Sequence, residues 1–194
     1  MRVRHYSIIF LESAIQQFRD YKLLAEKAFA QLVEKDFHFQ PNDETNSIAI
    51  NITHLYGNMM SRWTNFLTED GEKEWRQRDD EFEVHSYSKQ QLIDMWKKGW
   101  TCFFNAIEPL QEDDFLKTVY IRKEPLSVID AINRQLAHYP YHIGQMVFYA
   151  KMLKHGDWDS LSIPKNKSGD YNSDKFSQEK SIRNFTDDEL NKLK

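Results

Sequence analysis

His138 and His142 stand four residues apart in a stretch with helical periodicity. Positions i and i+4 of an α-helix project from the same face, so two imidazoles spaced in this way can hold one divalent cation. The Tyr-Pro-Tyr sequence between them lacks the glutamate that acts as general base in H-E-x-x-H metalloproteases. Catalytic zinc sites usually have three protein ligands and a water, so this pair requires a third ligand from elsewhere in the chain.

His54 is the best candidate for that third ligand. It lies in the middle of an apolar stretch with helical spacing, and Asn58 and Arg62 follow on the same face. Buried polar groups need partners, so a polar stripe through an apolar helix is unusual. Two interpretations stand side by side. Either three neutral imidazoles hold a cation whose bound water becomes acidic, or His54 is a hydrogen-bonded core residue and His138 and His142 form a surface pair.

Further polar residues could line a pocket beside these histidines. Arg134 lies one turn before His138 and projects from the same helix face. The candidates for orienting an anionic substrate are Asn58, Arg62, Arg134 and Gln145; ordinary surface pairing is the alternative. Tyr139 and Tyr141 are either hydrogen-bond donors to the site or packed aromatic residues, and packing is favoured.

Composition excludes several classes of protein. The chain has 194 residues, enough for one domain, and a net charge of -4, which disfavours nucleic-acid binding. No apolar run approaches about 20 residues, and the N-terminus lacks the pattern of a signal peptide. The lone cysteine, Cys102, cannot form an internal disulfide and fits a reducing cytoplasm. Its aromatic neighbours favour a small buried hydrophobe over a nucleophile.

Periodicity predicts an all-α fold, because glycine and proline are scarce and apolar residues recur at helical spacing. Four long helices follow and predict a four-helix bundle, in which ligands on facing helices point into one core. The first spans residues 6–35, and the second begins at Asn46 or Ser47 and ends before Glu69. The third spans residues 89–107 and the fourth residues 127–155, with Ser88 and Ser127 as N-caps.

Four further expectations concern the connections and the course of the fourth helix. Residues 71–87 are too charged for a core element and read as a surface connection pinned by Trp75 and Phe82. Residues 111–126 contain a short extended segment or hairpin. Pro140 deletes a backbone hydrogen bond and should kink the fourth helix. Gly71 and Gly156 follow helix ends, where positive φ is common.

The C-terminal region has a different character. We expect residues 1–160 to form the bundle and residues 161–194 to form a tail that packs on its surface or is partly disordered. Residues 164–181 are rich in Lys, Asn, Ser and Asp and are expected to be extended. Residues 186–193 begin with a capping-box pattern and predict a short helix.

These residues also resemble a known family. Residues 141–145, Tyr-His-Ile-Gly-Gln, together with His138 resemble the signature of the DinB/YfiT-like superfamily, and residues 54–63 resemble its second-helix ligand region. Residues 68–79, 133–138 and 158–164 look like a branch of unknown function within it. The resemblance covers roughly residues 10–165.

The resemblance implies an up-down-down-up four-helix bundle, often dimeric. It implies a divalent site, typically zinc or nickel, with His54, His138 and His142 as ligands. Activities in the superfamily include metal-dependent transfer reactions that use low-molecular-weight thiols such as bacillithiol or mycothiol, with the thiol bound as thiolate.

Two functions follow as hypotheses. The first is a metal-dependent thiol S-transferase or hydrolase that acts on a small-molecule substrate, with a three-histidine site that activates thiol or water. The second is a non-catalytic metal-binding or stress-related dimeric bundle. Fold alone does not choose between them.

Overall fold

The computed structural model describes residues 6–181, 184, 186, 187 and 190, and these residues are predominantly helical. The helices in this part of the chain are α1 (Tyr6–Ala30), α2 (Glu34–His38), α3 (Ile48–Trp63), α4 (Lys89–Ile107), α5 (Val128–Lys154) and α6 (Ser168–Ser177). The strands β1 (Thr118–Ile121) and β2 (Glu124–Ser127) form a small antiparallel sheet. The predicted all-α class is confirmed, and no described helix is both long and apolar enough to cross a bilayer.

One apolar core joins the long helices. α3 packs against α4 and α5, and α1 packs against α5. Large rings fill the space between them: Phe18 meets Phe103 edge to face with ring centroids 4.5 Å apart, and Trp96 and Trp100 are fully buried. Close packing of this kind restricts side-chain rotamers, so the inward-facing residues of α3 and α5 have defined positions.

The predicted N-caps set where three of these helices begin. The side-chain oxygens accept hydrogen bonds from backbone amides three residues later, at distances of 3.1 Å for Ser47, 3.2 Å for Ser88 and 3.0 Å for Ser127. Each bond satisfies an amide that the first turn of a helix leaves free. The caps of α3 and α5 therefore fix the register of the two helices that carry the histidines.

Two predicted helix boundaries are wrong. The first predicted helix divides after Ala30, because the Asp36 carboxylate accepts a hydrogen bond from the Val33 amide at 3.0 Å and begins α2. The second helix ends at Trp63, since Asn65 adopts a left-handed φ of 50°. Asparagine tolerates this conformation better than most residues.

The predicted positive φ values at Gly71 and Gly156 are also wrong. At the end of α5 the left-handed residue is His155, with φ 50°. Gly71 is needed for space instead, because a Cβ there would lie 3.2 Å from Ile121 Cγ1 and 3.3 Å from Arg62 Cδ.

The predicted hairpin before the last long helix is confirmed. Its strands pair from Thr118 opposite Ser127 to Ile121 opposite Glu124. The two residues of the turn, Arg122 and Lys123, both have left-handed φ values, of 57° and 65°. Tight hairpin turns need this geometry, which usually selects Asn-Gly.

The last long helix has the predicted extent, and the segment after it differs from the prediction. α5 continues from Val128 to Lys154 with Pro140 inside it, as the sequence predicts. The segment predicted to be extended contains α6, which buries none of its residues. Lys167, immediately before α6, forms an ion pair of 3.1 Å with Asp170 in the first turn. Most of the short helix predicted for residues 186–193 lies outside the described residues, although Thr186 itself is buried.

Candidate metal centre

The three predicted histidines meet between α3 and α5. One ring nitrogen from each of His54, His138 and His142 lies within 4.8 Å of the other two. The Nε2 atoms of His54 and His138 are 3.3 Å apart. Two zinc–nitrogen bonds at a tetrahedral angle place their nitrogens about 3.3 Å apart, so this spacing fits shared coordination. The prediction that the histidines come together is confirmed.

The second ring nitrogen of each histidine has its own hydrogen-bond acceptor. A donor Nδ1–H fixes the tautomer in which Nε2 carries a free lone pair, as a metal ligand requires. The three bonds run from His54 to Glu81 Oε2 at 3.0 Å, from His138 to Gln135 Oε1 at 3.2 Å, and from His142 to Asn51 Oδ1 at 2.8 Å. All three acceptors are buried, so the imidazoles are oriented with their Nε2 atoms toward one another.

The orientation of Asn51 is itself fixed. Its Nδ2 donates to the carbonyl of Ser47 at 3.0 Å, which leaves Oδ1 as the atom that faces His142. Since Ser47 caps α3, the same turn that starts the helix also orients one of the residues that hold the site.

Glu81 is the important residue that the sequence analysis missed. It belongs to the charged connection between α3 and α4, and its carboxylate receives two hydrogen bonds from Arg76, at 2.7 and 2.9 Å. Its backbone carbonyl accepts from Thr53 Oγ1 at 2.8 Å. Gly57 makes room for it, because a Cβ there would lie 2.5 Å from Glu81 Cδ and closer still to Oε1.

The connection of residues 71–87 therefore covers the site rather than only bridging two helices. Phe82 contacts the His54 ring, with centroids 4.7 Å apart. The prediction that Trp75 also pins this connection is wrong, since its side chain is 56% exposed.

Burial disfavours the protonated forms of His138 and His142. Together with the neighbouring imidazoles, it lowers the pKa of His138 to about 3 and that of His142 to about 4. Burial alone would raise the pKa of Glu81, but hydrogen bonds from His54 and Arg76 outweigh it and hold that pKa below its usual value. The cluster thus combines the neutral imidazoles of His138 and His142 with an ionised carboxylate that supports His54.

The predicted substrate-orienting residues have different environments. Arg134 is exposed, one turn before His138. Arg62 is buried beside Glu72, at 3.3 Å, and burial lowers its pKa to about 10 although Glu72 opposes the shift. Asn58 is buried and accepts a hydrogen bond from the Tyr139 hydroxyl at 3.3 Å.

The two tyrosines beside Pro140 also separate. Tyr139 is fully buried and accepts a hydrogen bond from Trp63 Nε1 at 2.9 Å, and burial raises its pKa. Packing was also expected for Tyr141, but its side chain is 64% exposed.

Gln145 and Cys102 lie away from the facing Nε2 atoms. Gln145 lines a cavity of about 420 Å³ together with Asn51 and Tyr141. Asn51 bonds the Nδ1 of His142, so this cavity touches the outer side of the cluster. Cys102 is half-buried and packs against the core, as its aromatic neighbours indicate.

Fold and site together define a predominantly helical protein with a three-histidine cluster that could hold one divalent metal ion. The model of a protein family of unknown function (DUF1572) matches residues 5–167, and the chain belongs to this family. No curated protein and no solved structure matches the chain.

Proposed function

We propose that this protein is a metal-dependent enzyme of the DinB-like type, in which His54, His138 and His142 bind zinc or nickel. The observation that carries the proposal is that each of the three imidazoles has its Nδ1 bonded to a buried acceptor while the Nε2 atoms face one another. We further propose that α1, α3, α4 and α5 form an up-down-down-up four-helix bundle. The packing of α3 on α4 and α5, and of α1 on α5, supports that arrangement.

The reaction we propose is transfer to a low-molecular-weight thiol, or hydrolysis, with a small-molecule substrate. When bound, a divalent metal lowers the pKa of a coordinated thiol or water and so supplies the nucleophile. The Glu81 carboxylate accepts the hydrogen bond that His54 Nδ1–H donates, and so increases the basicity of that ligand. His138 is the most exposed of the three ligands, which makes its side of the cluster the approach for substrate.

Orientation of substrate falls to the polar residues near His138. Arg134 is exposed and one turn away, so it can meet an anionic group outside the cluster. Asn58 already accepts a hydrogen bond from Tyr139, and its contribution is to fix the wall between α3 and α5.

The first test is metal content. The purified protein should contain one divalent ion per chain, and His138→Ala should lose it. His155→Ala is the matched control, because His155 is exposed at the end of α5 and should leave the metal content unchanged. If wild type and His138→Ala bind metal equally, the three-histidine site is refuted.

The second test is turnover. The metal-loaded protein, incubated with a thiol and an electrophile, should form product faster than the same concentration of free metal ion. Equal rates would refute the enzymatic proposal while leaving metal binding intact.

We propose a non-catalytic, metal-binding homodimer as the second candidate. One observation favours it: Tyr141, Phe148 and Met152 form an exposed stripe along α5, with exposed fractions of 64%, 70% and 42%. A stripe of this kind fits a contact between two copies. Phe148→Ser should then convert a dimer to a monomer in sedimentation analysis, and a monomeric wild type would refute it. We also propose a cytoplasmic location, which the single unpaired cysteine supports.

A further inference from the structure

Arg76 places a buried charge in the connection that covers the histidine cluster. Its side chain is 2% exposed, so the guanidinium is almost completely removed from water. Burial of a charge is unfavourable unless a counter-charge and hydrogen-bond acceptors surround it. The position of Arg76 must therefore be explained by the groups that it contacts.

The main partner of Arg76 is the carboxylate of Glu81, which is itself only 9% exposed. Arg76 Nε donates to Glu81 Oε1 at 2.7 Å, and Nη2 donates to Oε2 at 2.9 Å. The third nitrogen, Nη1, makes a longer contact of 3.5 Å with Glu72. A pair of parallel hydrogen bonds between a guanidinium and a carboxylate fixes their relative orientation as well as strengthening the contact. One side chain thus locates both carboxylate oxygens of Glu81.

One oxygen of Glu81 is shared between Arg76 and a proposed metal ligand. Oε2 accepts from Arg76 Nη2 at 2.9 Å and from His54 Nδ1 at 3.0 Å. A carboxylate oxygen can accept two hydrogen bonds, so these two donors use its capacity. A rotation that turned Oε2 away from His54 would break both short bonds to Arg76. The arginine therefore holds the carboxylate in the orientation that His54 requires.

The backbone on either side of the arginine is attached to α3. Ser61 Oγ donates to the carbonyl of Gly71 at 2.7 Å, near the start of the connection. Thr53 Oγ1 donates to the carbonyl of Glu81 at 2.8 Å, near its end. Both hydroxyls belong to the helix that carries His54, so the arginine lies between two points fixed relative to that ligand. Side chains supported in this way can hold a site in a precise geometry.

We propose that Arg76 is a positioning residue of the metal centre: through Glu81 it holds the His54 imidazole in the orientation that presents Nε2 to the ion. Arg76 itself contacts neither the ion nor the substrate. Residues that orient metal ligands commonly contribute 10–100-fold to metal affinity. This inference rests on the proposed function, because it assigns Arg76 to the site that His54 shares with His138 and His142.

The test uses cobalt as the probe on the full-length protein, with affinity measured by chelator competition. Arg76→Met should bind cobalt about 10–100-fold more weakly than wild type. Arg76→Lys should recover only part of this affinity, since lysine keeps the charge but cannot hold both oxygens of Glu81. At saturating cobalt, the visible absorption per bound ion should be weaker in Arg76→Met, because water replaces a displaced imidazole and the site becomes less tetrahedral. A change in folding stability alone would leave the spectrum of the saturated protein unchanged.

A double variant keeps the test decisive if Arg76→Met folds poorly. The single change leaves the Glu81 carboxylate buried without its main counter-charge, which destabilises a protein. Arg76→Met combined with Glu81→Met replaces the whole pair by apolar side chains, an exchange that is often neutral or stabilising. Because the arginine acts through Glu81, the double variant should bind cobalt within about twofold of Glu81→Met alone.

Arg122→Met is the matched control. Arg122 faces the same oxygen of Glu72 as Arg76 does, at 3.2 Å, but within the described part of the chain it forms no bond to Glu81. Its variant should bind cobalt as wild type does, and a loss equal to that of Arg76→Met would show a general charge effect and overturn the positioning role.

Two other results would overturn the role of Arg76. One is an Arg76→Met protein with the cobalt affinity and spectrum of wild type. The other is an equal loss from Arg76→Met in the wild-type and Glu81→Met backgrounds, since the arginine would then act by a route other than Glu81. A wild-type protein that binds no cobalt would instead refute the three-histidine site, and the role of Arg76 with it.

Discussion

The close approach of Glu81 to Gly57 leads to a prediction with an unusual sign. Replacing a glycine inside a helix by alanine ordinarily stabilises a protein by roughly 0.5–1 kcal/mol. At Gly57 the added Cβ would lie 2.5 Å from Glu81 Cδ, so the carboxylate must move. That carboxylate is bonded to Arg76 and to His54, which restricts its movement.

The size of the effect follows from the bonds at risk. A hydrogen bond to a charged group contributes about 1.5–3 kcal/mol, and loss of one such bond exceeds the helix-propensity gain. Gly57→Ala should therefore lower the free energy of unfolding by about 0.5–2.5 kcal/mol. Because Glu81 supports His54, the variant should also bind metal about 10–100-fold more weakly.

Gly144→Ala provides the control, since Gly144 lies in α5 with no heavy atom within 4 Å of its added Cβ. Urea unfolding of the metal-free proteins should show Gly144→Ala stabilised and Gly57→Ala destabilised. A chelator competition assay should show weaker metal binding only in Gly57→Ala. If Gly57→Ala is as stable as Gly144→Ala and binds metal as wild type does, the position assigned to Glu81 is wrong.

Three further predictions concern the residues around the histidines. Asn51→Ala removes the acceptor for the His142 Nδ1 proton and should weaken metal binding about 10–100-fold in the same competition assay, whereas unchanged affinity would contradict its role. Burial and the neighbouring imidazoles lower the pKa of His138 to about 3 and that of His142 to about 4. Between these values and the ordinary histidine pKa of about 6.5, the unfolded chain therefore binds more protons than the folded one. The free energy of unfolding of the metal-free protein should accordingly fall as pH decreases from about 6.5 to about 4, and urea unfolding that is insensitive to pH in this window would oppose it. Tyr139→Phe leaves the Trp63 indole N–H without its acceptor and should cost about 1–3 kcal/mol in urea unfolding, while an unaltered midpoint would show that the bond is dispensable.

The residues that the sequence could identify are those whose spacing is set by a helix. His138 and His142 are four residues apart, and His54 lies within a regular apolar pattern, so their faces follow from the helical period. The caps Ser47, Ser88 and Ser127 are likewise local signals. Spacing along one helix says nothing about distance between helices, so His54 became the candidate third ligand through the polar stripe on its helix and the expected bundle, and the resemblance to a known superfamily supported that choice.

The residues that the sequence could not identify are held by contacts distant in the chain. Glu81 is one of many acidic residues in an irregular connection, and it meets His54 27 positions away. One signal was present: Gly57 interrupts a helix next to His54, where a close approach by another group is a common reason for glycine. Asn65 and His155 show a similar limit, since they adopt the left-handed conformations expected of Gly71 and Gly156.

The central claim is that His54, His138 and His142 share one metal ion. X-ray absorption spectroscopy of the zinc-loaded protein tests it most directly, because imidazole ligands give a distinct scattering pattern that can be counted. The zinc ion should have three imidazole nitrogens at about 2.0–2.1 Å, with the remaining coordination from oxygen. Any zinc that His138→Ala retains should have two imidazole ligands. A wild-type protein that binds no zinc, or that shows fewer than three imidazole ligands, would contradict the shared site.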